Sequence, residues 1–316
     1  MRVRVFYHDR CFDGACSASI FTDFFRRCFD SQASFAYTGL FHSAEQLFDE
    51  DLFDGDQNAI VDFKYCASEK LTWWFDHHQS AFLSPEDAKH FERDRGDRKF
   101  YDASFKSCTK FIAAIAGKKF SYDSTHLQEL IHWANIIDGA QYESAKQAVE
   151  MAAPAMKLTL VLEASEEKRS AEIIPLLTRQ SLRQVAETPW VQESFEELYQ
   201  RHLESIEVIR ERSRQIGRVV FFDLAETTHT GYNKFVPYYL FPDSVYTVSV
   251  SDPGFRTKVS VGSNPWASAA PRHNLASICE RYGGGGHSKV AAISYGSGEL
   301  ERARATAQEI IEELSS

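Results

Sequence analysis

No apolar run in this chain approaches the ~18 residues of a membrane-spanning helix, so a protein built on helical spans is not expected. Cysteine is sparse and scattered: Cys11, Cys16, Cys28, Cys66, Cys108 and Cys279 form no CxxC pair, which argues against a zinc ribbon or a disulfide scaffold. Internal repeats and low-complexity tracts are missing as well. Positive charge is in deficit, with 35 Lys and Arg against 45 Asp and Glu and a net charge of −10, a poor footprint for tracking long nucleic acid. The start Met1-Arg2-Val3-Arg4 leads into a strand rather than a signal peptide, and with reduced cysteines the expectation is a cytoplasmic protein.

What is present is enough apolar material, 43% of 316 residues, for more than one core. The first part of the chain alternates strand-like and helix-like runs, which predicts an α/β domain on a parallel sheet. Phe21 to Phe29 reads as a helix face against that sheet, and Trp73 and Trp74 as strand packing. A helical region follows, in which Phe195, Leu198, His202, Ile206 and Ile209 keep near-helical spacing toward Gly217. Three further strand-like runs begin at Arg218, Ser244 and Arg256, with a turn at Ser251-Asp-Pro-Gly-Phe255 between the last two. The expected organisation is a first domain over 1–188, a helical connector over 189–217 and a smaller α/β domain over 218–316.

Chemistry gathers where apolar runs end. Arg2-Val-Arg-Val-Phe-Tyr7 runs into His8-Asp9-Arg10-Cys11-Phe12-Asp13-Gly14, and Asn58-Ala-Ile-Val closes on Asp62. Leu71-Thr-Trp-Trp-Phe75 closes on Asp76-His77-His78, and the stretch from His132 closes on Asp138. Read as four strand ends, these deliver carboxylates and imidazoles to one edge of a sheet, the edge at which open α/β sheets bind ligands. Such groups are costly to bury unless they meet a metal, an anion or one another. A second concentration lies between Gly231 and Gly298, where Lys234, Arg256, Lys258, Arg272, Arg281 and Lys289 outnumber Asp243, Asp252 and Glu280. A small anionic ligand held locally fits that distribution better than a polymer gripped along many phosphates.

His8, Asp13-Gly14, Asp62, Asp76-His77-His78 and Asp138, in this order, resemble the four motifs of the DHH phosphoesterase superfamily. Gly283-Gly284-Gly285-Gly286-His287, followed by Lys289-Val-Ala-Ala, is similar to the glycine-rich signature of the DHH-associated C-terminal domain. The resemblance covers nearly the whole chain. It implies a catalytic domain and a smaller substrate-binding domain with the active site in the cleft between them, and a site for two divalent cations, Mn²⁺ foremost with Mg²⁺ or Co²⁺ as alternatives. Asp62 is then the bridging ligand, with Asp13, His77 and Asp138 at one metal, His8 at the other and Asp76 in the same cluster. His78 is left to touch the scissile phosphate or to protonate the leaving group, so His78 and Asp76 are the candidate catalytic pair. Gly283 to Gly286 with His287 would cradle the far end of the substrate, assisted by Ser260.

Two positions depart from the family pattern. Cys11 stands where many members carry the first Asp of Asp-x-Asp-Gly, so either Asp9 or the Cys11 thiolate completes the His8 metal, or Cys11 only packs. Gly262 occupies the place of a phosphate-binding Arg, for which Arg256, Lys258 or Arg272 must substitute. Ser104, Ser107 and Thr109 are either phosphate contacts or the start of a helix. The expected function is metal-dependent hydrolysis of short oligonucleotides or linear dinucleotides to mononucleotides. The alternatives are phosphoanhydride hydrolysis, as in an exopolyphosphatase, and a nucleotide-binding regulator whose site has degenerated. No long nucleic acid and no membrane partner is expected, and a homodimer is compatible with the sequence.

Overall fold

The computed structural model describes residues 1–41, 48, 50–94, 96–164, 167–227 and 231–315. It divides into two compact units, Met1–Tyr142 with Ala152–Leu198, and Glu143–Met151 with Tyr199–Ser316.

The first unit opens β1 (Arg2–His8), α1 (Phe12–Cys28), β2 (Ser34–Leu40), β3 (Gln57–Val61), β4 (Trp73–Asp76), α2 (Pro85–Arg93), β5 (Lys99–Tyr101), α3 (Cys108–Phe120) and α4 (Gln128–Asp138). The short α5 (Ala145–Val149) belongs to the second unit, and α6 (Pro154–Ala164), α7 (Glu167–Leu177) and α8 (Leu182–Ala186) return to the first. The five strands form one parallel sheet in the order β2-β1-β3-β4-β5. Strand order reverses at β1, and the carboxyl ends of β1, β3 and β4 lie side by side next to that switch point, where ligands of open α/β sheets bind.

Side-chain alternation explains why the sheet is buried on both faces. Val3, Val5, Tyr7, Trp73 and Phe75 join α1 and its Phe21, Phe24 and Phe25 in one core. Phe6, Ile60 and Trp74 point the other way, into a second core with Phe53, Tyr65 and Leu71. Trp73 and Trp74 are both fully buried, on opposite faces, as strand residues one apart must be. The Phe24 ring lies 5.7 Å from that of Trp73, and removing a ring of this kind from such a core costs about 3–5 kcal/mol.

The expected connector resolves into α9 (Pro189–Arg212), which crosses the division between the units, and the strand β6 (Ser213–Ile216). Gly217, at φ +58°, turns β6 into β7 (Val219–Asp223), so the helix stops short of the glycine toward which its spacing runs. Residues 143–151 group with the second unit because their carbonyls bind it: Val149 O accepts from His202 Nε2 at 2.8 Å and Ala148 O from Asn233 Nδ2 at 2.8 Å.

The second unit continues with α10 (Val236–Leu240), β8 (Tyr246–Ser251), β9 (Thr257–Ser263), α11 (Leu275–Glu280), β10 (Gly285–His287), β11 (Val290–Tyr295) and α12 (Leu300–Ser315). Its six strands run β10-β11-β9-β8-β7-β6, antiparallel except for β7 and β8. One face of the sheet carries Val248, Val250, Val259, Val261 and Ile293 into a core with Ile310 and Ile311 of α12. The opposite face presents Thr247, Ser249, Lys258 and Ser260. Among the described residues no helix is long and apolar enough to cross a membrane.

Candidate metal centre

Each donor is placed by a local feature of the chain. Gly14 lets α1 start directly beneath the end of β1, because a Cβ there would lie 2.0 Å from the His8 carbonyl oxygen. Asp13, in the first turn of α1, accepts hydrogen bonds from the amides of Cys108 at 2.6 Å and Thr109 at 3.1 Å. These are the first amides of α3, whose positive end favours a carboxylate. Ser107 caps α3 by accepting from Lys110 N, and Thr109 holds Asp13, so both serve structure around the site. Asp62 follows β3 in a left-handed conformation, φ +58°, with its amide donating to Phe75 O at 2.9 Å. A non-glycine residue pays of order 1–3 kcal/mol for such backbone, which is tolerated where side-chain direction matters.

Asp138 corrects the expectation of four strand ends. It is the last residue of the helix α4, whose Leu130, Ile131, Ala134 and Ile136 are the buried face.

The side chains converge. His77 Nδ1–H donates to Phe105 O at 3.1 Å, which turns the Nε2 lone pair toward three carboxylates. That nitrogen lies 3.3 Å from Asp62 Oδ1, 3.4 Å from Asp138 Oδ2 and 3.8 Å from Asp13 Oδ2. On the other side of Asp62, Oδ2 stands 3.6 Å from His8 Nδ1 and 3.9 Å from Cys11 Sγ. Two donor triplets, Asp13–His77–Asp138 and His8–Cys11–Asp62, therefore flank Asp62, and a third joins Asp62 to His77 and His78.

Asp76 enters none of these triplets. Its Oδ1 accepts from the amides of His77 and His78 and from His78 Nδ1 at 2.7 Å, which leaves His78 Nε2 as the outward atom of a ring about a third exposed. The structure thus brings Asp76 behind His78, not among the converging donors. Asp9 also stays outside: its Oδ1 accepts from Arg10 N at 2.8 Å, and its carboxylate packs against Gly39 of β2.

The electrostatics are those of a place short of positive charge. Burial, then Asp62 and Asp138, push Asp13 well above the carboxylate range, and burial with Asp62 takes Asp138 up to about 6. Burial opposes a charge on His77, yet Asp62, Asp13 and Asp138 outweigh it and take that group up to about 10. His78 rises to about 9 against burial through Asp76 and Asp62, while Asp62 itself, despite burial, is held well below its ordinary value by His77 and His8. Asp62 Oδ1 and His77 Nε2 are buried without a hydrogen bond. Buried donors gathered at ion-pair distance around shared carboxylates fit divalent cations, for whose place on Nε2 a proton is the competitor.

The second-unit residues separate by face. Lys258 and Ser260 share the polar face with Ala292 of β11 and, through the β10 register, with Gly285 and His287. Arg272 lies in the loop before α11, where its backbone amide donates to the Tyr246 hydroxyl at 2.6 Å. Arg256 lies in the turn before β9 with its guanidinium 5.3 Å from the exposed Phe255 ring. The glycine run alternates, with open space at Gly283 and Gly285 and close packing at Gly284 and Gly286. The amides of Gly283 and Gly284 donate to Glu280 O and Cys279 O, and a Cβ on Gly284 or Gly286 would meet β11 backbone at 2.3 and 2.5 Å. Gly262 makes room for Tyr238, whose hydroxyl would lie 2.5 Å from an added Cβ. Tyr238 and Phe105 O are partners that the sequence did not reveal, because both are set by tertiary approach.

A five-stranded parallel sheet followed by a mixed sheet unit is an architecture that the chain shares with solved structures, among them a DHH-domain protein. No protein-family model matches the sequence, and no curated protein matches it. Among solved structures, the chain is similar to PggH of Vibrio cholerae, described as a pGpG-specific phosphodiesterase, with a TM-score of 0.70 at 18% identity over 99% of both chains. It is similar to a DHH-domain protein whose description places it in a family of ribosomal proteins, with a TM-score of 0.61 at 13% identity over 100% of this chain and 87% of that one. The exonuclease RecJ bound to manganese matches with a TM-score of 0.51 at 11% identity over 98% of this chain and 90% of that one. What the chain shares with them is the fold.

Proposed function

We propose that the chain is a metal-dependent phosphodiesterase that cuts short oligonucleotides or linear dinucleotides and releases mononucleotides. One observation carries the reading: His77, oriented by Phe105 O, aims Nε2 at three carboxylates, while the other oxygen of Asp62 faces His8 and Cys11. Asp13, His77 and Asp138 would hold one divalent cation and His8 a second, with Asp62 shared. Bound there, two such cations supply the positive charge that offsets the scissile phosphate and lowers the pKa of water toward neutrality. Mixed imidazole and carboxylate donors suit Mn²⁺, with Mg²⁺ or Co²⁺ as alternatives.

His78 supplies the proton. Its Nδ1–H is held by Asp76, and Nε2–H is presented to the leaving oxygen or a phosphate oxygen. Asp76 keeps the ring oriented and favours its charged form. Within the second unit, Lys258, Ser260 and His287 of the polar face, with Arg256 in the turn before β9, are the groups assigned to substrate binding. The few cations there suit a short substrate, since each further phosphate needs its own. Similarity to a protein described as pGpG-specific favours a linear dinucleotide.

The test is purified protein with Mn²⁺ against di- to pentanucleotides, cyclic dinucleotides, long single strands and polyphosphate. Metal-dependent release of mononucleotides, fastest from the shortest substrates, is the expected result. Turnover of polyphosphate alone would transfer the site to anhydride chemistry, and equal rates per nucleotide on long strands would contradict the length limit.

A further inference from the structure

We infer that Cys11 is a ligand of the metal position built on His8 and Asp62, so that this position is a mixed imidazole, thiolate and carboxylate site that prefers borderline cations such as Co²⁺ or Zn²⁺ to Mg²⁺. The inference rests on the two-metal reading above and concerns the one donor at which the chain leaves the family pattern.

Three observations carry it. First, Cys11 Sγ lies 3.9 Å from Asp62 Oδ2 and His8 Nδ1 lies 3.6 Å from the same oxygen, and all three donor atoms lie within 4.8 Å of one another. Second, Asp62 is 1% exposed and both of its oxygens face only other potential metal donors, Oδ1 toward His77 Nε2 at 3.3 Å and Oδ2 toward His8 and Cys11. Third, Cys11 occupies the N-cap of α1 in extended conformation but makes no capping hydrogen bond. Ser, Thr, Asp or Asn at such a position would supply one. A residue that forgoes the cap and turns its sulfur to a buried carboxylate and an imidazole is placed for something else.

Asp9, the other residue that could complete this position, enters none of the donor triplets and is turned toward β2. Its amide donates to Leu40 O at 3.1 Å, Oδ1 takes Arg10 N, and its carboxylate sits against Gly39, all on the β2 side. The carboxylate missing from the usual first motif is therefore replaced by sulfur and not by a neighbouring oxygen.

The bond change is simple. The Sγ–H bond breaks, its proton passes to solvent, and the sulfur lone pair enters the bond to the cation, with no electron gained or lost. Thiolate softness then sets the preference: hard Mg²⁺ gains least from sulfur, and Co²⁺ or Zn²⁺ gain most.

Titrating the whole protein with Co²⁺ under reducing conditions and following its near-ultraviolet absorption tests this without any substrate. The wild type should bind two Co²⁺ and develop a sulfur-to-cobalt charge-transfer band. Cys11→Ser, which restores a good N-cap, should fold, lose the band and bind one Co²⁺ at least ten times more weakly. Cys11→Asp should lose the band while keeping both ions, and should bind Mg²⁺ better than the wild type does. Two bound Co²⁺ without a charge-transfer band would overturn the role of Cys11 and leave the two-metal reading intact. A band that survives in both variants would assign it to another thiol and overturn the inference equally. Fewer than two Co²⁺ on the wild type and on Cys11→Asp alike would overturn the two-metal reading itself.

Discussion

The polar face of the second sheet and the carboxyl edge of the first hold polar groups in different ways. On the polar face of the second sheet, neutral hydroxyls find one another: Tyr232 with Ser249 at 3.0 Å and Tyr238 with Thr247 at 3.1 Å. At the carboxyl edge of the first sheet, charged groups are collected and left without hydrogen bonds, as at Asp62 Oδ1 and His77 Nε2. A satisfied polar group stabilises its own surroundings, whereas an unsatisfied buried one costs about 1–3 kcal/mol or more until a ligand completes it. The first sheet thus stores a demand for cations, and the second offers a preformed surface.

That contrast predicts that variants of the first sheet change metal binding and chemistry, while variants of the second change stability or KM. The largest effect belongs to Asp62→Asn. Asn tolerates left-handed backbone and keeps the volume, so the protein should fold, but the shared ligand is lost. Turnover should fall by more than the ~10⁴-fold that marks the upper range for a lost general acid. Calorimetric metal titration beside steady-state kinetics checks both halves, and near-normal activity would break the contrast at its centre.

His78→Ala should come next, lowering kcat by about 10²–10⁴-fold with metal content unchanged. Asp76→Asn should lower it by only about 10–100-fold, the usual range for a residue that orients another. The pair of kcat values distinguishes the group that moves the proton from the one that positions it. Equal losses with metal released in Asp76→Asn would return Asp76 to the ligand set.

In the second sheet, Gly262→Ala should cost about 1–3 kcal/mol in denaturant unfolding, because the new methyl would displace the buried Tyr238 hydroxyl. Metal titration of that variant should match the wild type.

The smallest effect concerns acid stability. His202 is buried, its Nε2–H donates to Val149 O, and burial holds its pKa below the ordinary value despite that bond. The unfolded chain therefore takes up a proton below about pH 6.5 that the folded chain refuses. This contribution is fully present above that pH and is lost as pH falls toward the depressed folded value. His202→Gln should flatten that part of the stability profile, measured by unfolding at a series of pH values. A profile that keeps its full slope would assign the acid sensitivity to other groups.

Much of the site was legible because a carboxylate or imidazole that ends a buried strand is conspicuous. Asp62 and Asp76-His77-His78 each close an apolar run, and the parallel sheet sets those ends side by side. Asp138 was misread as a strand end because a short apolar stretch carries no period that separates helix from strand. The partition of the basic residues was illegible for a different reason. Register alone places Lys258 and Ser260 on one face with His287, and only tertiary approach brings the Arg272 amide to the Tyr246 hydroxyl. Gly284 and Gly286 have backbone packing against β11 as a physical cause, which local sequence cannot distinguish from a ligand cradle. The place of Cys11 depends on an approach between residues 51 apart.

The most direct test of the central claim is the metal content of active protein, measured by elemental analysis after equilibrium dialysis against Mn²⁺, with Asp62→Asn alongside. Two ions per chain in the wild type and a loss of tight binding in the variant are the predicted result. One ion or fewer in fully active wild type, or two in Asp62→Asn, would contradict it.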